Sequence, residues 1–173
     1  MKRVEGGVTA AKGFMAAAVA AGIKKENRKD MAMIYSQVPC AAAGTFTTNV
    51  VKAAPVKWDR EQVYTQPFAQ AVVCNSGIAN ACTGEEGMAC CAMTAKVAAG
   101  ALNIPEERVL VASTGVIGQQ LPMTAIAQGV HSMAPMLSDS LESGTMAAQA
   151  IMTTDTVKKE TAVTFELEGK TVT

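Results

Sequence analysis

Two apolar runs in this chain end in nearly the same way, and a helix fits between them. Ala71-Val72-Val73-Cys74 runs into Asn75-Ser76-Gly77, and Val109-Leu110-Val111-Ala112 runs into Ser113-Thr114-Gly115-Val116-Ile117-Gly118. Each run is short, apolar and rich in β-branched residues, as a buried strand is. Between them, Thr83 and Glu86 have the T-x-x-E spacing of a capping box, and Met88, Cys91, Ala95, Ala98 and Leu102 recur at helical intervals as far as Pro105. A strand, a helix and a strand of this length satisfy the minimum for a crossover, so the chain is expected to be α/β. A parallel relation between the two strands fits, and so does an antiparallel one through additional strands.

Other elements can be placed more coarsely. Val4 to Phe14, with three glycines, has the composition of an irregular entry loop, and an alanine-rich stretch follows to Ile23. Lys24 to Asp30 is expected to be a solvated charged turn, and Met31 to Ser36 a short strand. Thr45 to Val51 suits an extended segment closed by Pro55. Leu121 to Val130 is expected to be helical with Pro122 in the first turn, as is Ser143 to Met152. Val163, Phe165 and Leu167 alternate with polar residues, and Gly169-Lys170 would turn that strand back into Thr171-Val172-Thr173.

Composition narrows the function classes. The 173 residues carry zero formal net charge with 17% charged residues, which leaves no basic footprint for nucleic acid. The 49% apolar content comes largely from small residues and 11 methionines, with only seven aromatics, and favours close packing of helices on a sheet. No apolar run reaches the ~18 residues of a membrane span, and the N-terminus lacks the pattern of a signal peptide, so no membrane is expected and the cytoplasm is the simplest location. Cys40, Cys74, Cys82, Cys90 and Cys91 form no C-x-x-C pair, and an odd count is a poor disulfide framework; they are expected to be reduced and mostly buried. With His131 the only histidine, no metal site is expected.

The chemistry that remains is incomplete. Ser76 and Ser113 lie outside a G-x-S-x-G elbow, and Gly115-Val116-Ile117-Gly118 has no lysine after it to make a phosphate loop. The Ser113 to Gly118 break is either a plain strand-to-loop turn or a set of amide donors that holds an oxyanion. Thr153 to Thr156 fits a helix end capped by hydroxyl and carboxylate groups. A donor site with no nucleophile and no base is half of an acyl-transfer centre.

The ordered segments Gly6-Gly7-Val8-Thr9-Ala10, Lys12-Gly13-Phe14, Ala20 to Lys25, Arg28 to Ala32, Phe46 to Asn49, Val51 to Val56, Asn75 to Gly84, Ala112 to Gly118 and Met152 to Thr156 resemble the ornithine acetyltransferases, the bifunctional glutamate N-acetyltransferases of arginine biosynthesis. The resemblance implies a layered α/β sandwich of mixed sheets and packed helices, of N-terminal-nucleophile type, completed by a second chain. It implies a precursor that cleaves itself before a threonine, so that residues 1–173 form a single α-chain domain lacking its last residues, and a β chain headed by that threonine supplies the nucleophile. An α2β2 assembly, the substrates N-acetylornithine and glutamate, possible use of acetyl-CoA and no cofactor follow from the same resemblance. Thr114 and Gly115 match the oxyanion hole, and Thr153, beside Thr154, matches a substrate-binding threonine. A hydrolytic amidase or aminopeptidase of the same architecture, or a non-catalytic scaffold subunit, is the competing expectation.

Overall fold

A computed structural model describes residues 1–25 and 27–173. The chain runs β1 (Lys2–Val4), β2 (Phe14–Val19), β3 (Met31–Ala41), α1 (Ala54–Thr65), β4 (Phe68–Ile78), α2 (Gly84–Leu102), β5 (Val109–Val116), α3 (Met123–Met133), α4 (Leu141–Ala150), β6 (Ala162–Leu167) and β7 (Lys170–Val172), with short 3-10 turns between some of them. Four strands form a mixed sheet in the order β2-β3-β4-β5, and β1-β6-β7 form a second, three-stranded sheet. The β4 to β5 pairing is parallel, so the crossover through α2 resolves the choice left open by the sequence. The β2, β3 and β4 pairings are antiparallel.

The period-two alternation of strands sorts the sheet into two unlike faces. Ala17, Met31, Met33, Ala71, Val73 and Val109 point to one face and pack against Cys90, Ala95 and Ala98 of α2 and Ile126, Val130 and Met133 of α3. Of the stripe on α2 inferred from spacing, Cys91, Ala95 and Ala98 are buried and Met88 and Leu102 half-buried. On the opposite face Ala16, Ala18 and Ala32 meet Ala147 and Ala150 of α4. Alanine on both partners lets α4 lie close to the sheet. It covers the β2 and β3 side only, while beside β4 and β5 the same face is open along Cys74, Ala112, Thr114 and Ile151.

Five local expectations need correction. Thr45 to Val51 forms no strand, and Pro55 opens α1 instead of closing an extended segment. The physical reason is that proline at the start of a helix loses an amide that has no partner there anyway. The capping box does not form, because Thr83 turns its hydroxyl to Asn80 Oδ1 at 2.6 Å and makes no cap to its own helix. Asp30, at the end of the supposed solvated turn, is fully buried. The β6–β7 hairpin forms as expected, but Val163 and Leu167 are exposed. Of the cysteines, all free, Cys90 and Cys91 are buried, Cys40 and Cys74 are partly buried and Cys82 is exposed, so fewer are buried than expected.

Candidate active site

The two polar breaks lie side by side. In the parallel register Asn75 pairs with Ser113, Ser76 with Thr114 and Gly77 with Gly115. Both triplets stay in strand, so the Ser113 to Gly115 segment is a strand end and the turn expected there begins only after Val116. Ser113 donates its hydroxyl to Asn75 Oδ1 at 2.6 Å, and Asn75 Nδ2–H donates to the Ile78 carbonyl at 2.8 Å. Ser76, fully buried, gives its hydroxyl to the Ala150 carbonyl at the end of α4. Both hydroxyls are engaged with neighbours, and His131 is exposed on α3, so neither serine is equipped as the nucleophile of a triad.

The β5 strand is one edge of the four-stranded sheet, and α1 covers its first half. Trp58 Nε1–H donates to the Val109 carbonyl at 3.2 Å, and Asp59 Oδ1 accepts the Val111 amide at 3.0 Å. Successive peptides of a strand alternate between its two edges, so the Gly115 amide follows Val111 on the side away from β4. Thr114, Gly115 and Val116 are exposed there. Gly115 has φ +137°, a conformation open to glycine and strained for other residues. Burial, with the Asp59 carboxylate adding to it, pushes the Cys74 thiol up to about 11 and the Cys91 thiol up to about 12, so both are held as thiols near neutral pH.

A cleft of about 490 Å³ brings the sequence candidates together. Thr114, Gly115 and Val116 from β5 and Gly77 from β4 form one wall, Thr153 and Thr154 beyond α4 another, and Lys24 and Arg28 complete it. The structure thus unites Thr114, Gly115 and Thr153, which the sequence separates by nearly forty residues. The two basic residues were missed because a lysine-rich loop has the composition of solvated surface; the signal was Asp30, an acid placed directly before an apolar strand. The cleft is the mouth of a longer trough. Thr114 also lines the open stretch beside Cys74 and Ile151, and those two residues continue into a mainly apolar groove of about 530 Å³ between α4 and the β6 segment. Among the described residues there is no cluster of His, Cys, Asp and Glu able to hold a metal. No helix among them is long and apolar enough to cross a membrane.

Residues 15–173 match the model of the ArgJ family. The chain belongs to the ArgJ family. It is 53% identical over its whole length to the arginine biosynthesis bifunctional protein ArgJ of Symbiobacterium thermophilum, covering 43% of that protein. It is 48% identical over 99% of its length to the ArgJ of Thermosynechococcus vestitus, covering 40% of that protein. The chain therefore spans about two-fifths of the length of the curated relatives it matches. Among solved structures, the ArgJ of Bacillus halodurans superposes with a TM-score of 0.93 at 42% identity, over 98% of this chain and 88% of that one. The ornithine acetyltransferase of Mycobacterium tuberculosis, complexed with ornithine, superposes with a TM-score of 0.84 at 45% identity, over 88% of this chain and 81% of that one. The mixed-sheet α/β architecture is thus that of the ArgJ fold, as the sequence resemblance implied.

Proposed function

We propose that this chain is the α part of an enzyme that transfers an acetyl group from N-acetyl-L-ornithine to L-glutamate. The observation that carries this reading is the single cleft in which an exposed Thr114-Gly115 strand end faces Thr153. Names of the relatives add weight: a bifunctional arginine-biosynthesis protein on one side and an ornithine-bound ornithine acetyltransferase on the other.

In the proposed reaction a β chain of the same precursor supplies an N-terminal threonine. Its hydroxyl oxygen bonds to the acetyl carbon of N-acetylornithine, and its own terminal amine takes the hydroxyl proton. Negative charge collects on the carbonyl oxygen, where Thr114 and the Gly115 amide stabilise it; losing one such donor typically raises the barrier by about 2.7–4 kcal/mol. The C–N bond breaks, ornithine leaves with the proton, and an acetyl-threonine ester remains. The glutamate amine then attacks that ester, the C–O bond breaks and the threonine hydroxyl is restored. Thr153 binds the amino-acid substrate. The trough that runs from Thr114 along Cys74 and Ile151 into the apolar groove suits an extended protein surface, and the β chain is its proposed occupant, in an α2β2 assembly located in the cytoplasm. Residues 1–173 act as one domain of that assembly, and acetyl-CoA is a further candidate donor.

Expression of this chain as one continuous polypeptide with the remaining segment of the family precursor tests this. Intact-mass analysis is expected to find two chains, the second beginning with threonine. Incubation with N-acetylornithine is expected to release ornithine catalytically only when glutamate is present. Sustained release without glutamate would overturn the transferase reading in favour of a hydrolase, and the absence of a second chain would favour a scaffold.

A further inference from the structure

Lys24 does not extend into solvent as its neighbours in a charged loop would suggest. Its ammonium donates to the carbonyls of Ala150 at 3.3 Å, Met152 and Lys29 at 3.4 Å, which uses all three of its protons. Ala150 is the last residue of α4, where the carbonyls have no intrahelical partner and the helix dipole is negative. Met152 directly precedes Thr153.

The loop that carries Lys24 is itself held. Asp30, fully buried, accepts the amides of Ala21 at 2.7 Å, Ile23 at 2.7 Å and Lys24 at 2.9 Å on its two carboxylate oxygens. The Asp30 carbonyl in turn accepts the Ser76 amide at 2.8 Å, and Ser76 binds the Ala150 carbonyl from the sheet side. Ser76 is the register partner of Thr114. The end of α4 is therefore gripped from two directions, by Ser76 on the strand beside Thr114 and by Lys24 on the loop that Asp30 anchors.

We propose that Lys24 is a positioning residue: its ammonium clamps the Ala150 to Met152 backbone so that Thr153 faces Thr114 and Gly115 across the cleft. This inference rests on the reading of Thr153 as a substrate-binding group. It requires charge and three donors at position 24 and no direct contact of Lys24 with the reacting atoms. Loss of the clamp displaces Thr153, which weakens substrate binding and leaves the oxyanion site on β5 in place.

The test uses the assembled two-chain enzyme and steady-state kinetics with N-acetylornithine at saturating glutamate. Lys24→Met is expected to raise KM about ten-fold with kcat within about two-fold, and Lys24→Arg, which keeps the charge, to recover at least half of that loss. A lesion that merely reduces the folded fraction lowers kcat and leaves KM unchanged, so that result would overturn the proposal. Thr153→Val is expected to raise KM by itself, and Lys24→Met added to it is expected to change KM by less than two-fold more, because residues that act through one another are not additive. A full ten-fold effect of Lys24→Met in the Thr153→Val background would overturn the positioning role while leaving the site reading intact. An unchanged KM in Thr153→Val alone would overturn both.

Discussion

Gly115 lies directly against the peptide of Gly77: a Cβ built on Gly115 would stand 2.2 Å from the Gly77 carbonyl oxygen and 2.8 Å from the Ile78 nitrogen. Both neighbours are backbone atoms of the paired strand, so neither can turn aside. Position 115 thus accepts only a residue without a side chain, on steric grounds as well as by its φ.

Gly115→Ala is accordingly expected to force β5 away from β4 at the cleft. Backbone strain of this kind costs about 1–3 kcal/mol, and the clash adds to it. The expected outcome is a lower thermal unfolding midpoint together with slower acetyl-enzyme formation in a rapid-quench assay. Wild-type rates in the well-folded variant would remove the strand end from the mechanism.

Asp59 gives a pH dependence of unusual sign. Partial burial raises its pKa to about 6, against a smaller opposing effect of the Val111 amide hydrogen bond. The folded state then holds this proton more tightly than the unfolded chain, so the contribution to stability is complete below about pH 3.8 and is lost as pH rises through about 6. Asp59→Asn keeps an oxygen for the Val111 amide and removes the ionisation. At pH 7.5 the variant is expected to be more stable by about 1–2 kcal/mol after allowance for solvent screening, with the difference vanishing near pH 4. Calorimetry of the assembled protein at the two pH values checks this, and an equal gain at both would refute it.

Removing one charge from Asp30 should be far more costly. Both oxygens accept amides, so an asparagine there must point its own NH2 at a backbone donor. Asp30→Asn is expected to destabilise by about 3 kcal/mol, in the range for breaking a buried charged hydrogen-bond network. Denaturant titration of the assembled protein measures it, and a loss below about 1 kcal/mol would show that the loop has another anchor.

Gly87 sets two familiar effects against each other. Alanine inside a helix gains about 1 kcal/mol over glycine. Here, however, its Cβ would be 2.0 Å from Thr83 Oγ1 and 2.6 Å from Asn80 Oδ1, the pair that holds the entry to α2. Overpacking of about 1–3 kcal/mol, plus disruption of the Asn80 bond to the Gly87 carbonyl, is expected to win. Gly87→Ala should therefore lower the melting midpoint, and a higher one would reverse the assignment.

How far the sequence carried the fold follows from how local each signal was. The β4, α2 and β5 unit was legible because apolar periodicity and the Pro105 stop are properties of consecutive residues. Helix α1 was not, since the β-branched run before it outweighed Pro55, which serves equally to end a strand and to begin a helix. The capping box misled because Thr83 had a better partner in Asn80, a choice set by packing. Thr114, Gly115 and Thr153 came from the resemblance to a known family, and their convergence in one cleft was not legible from residues so far apart in the chain. Lys24 and Asp30 were hidden because two inward side chains leave no mark on the composition of a segment whose Lys25 and Arg28 face water.

The half-covered β5 edge has a consequence for strand addition. An unprotected sheet edge invites any extended peptide to add a strand. On β5, Trp58 and Asp59 occupy the carbonyl of Val109 and the amide of Val111, so an incoming strand would find its first rungs already taken. The edge thereby resists strand addition along its first half, while Thr114 and Gly115 beyond it stay exposed.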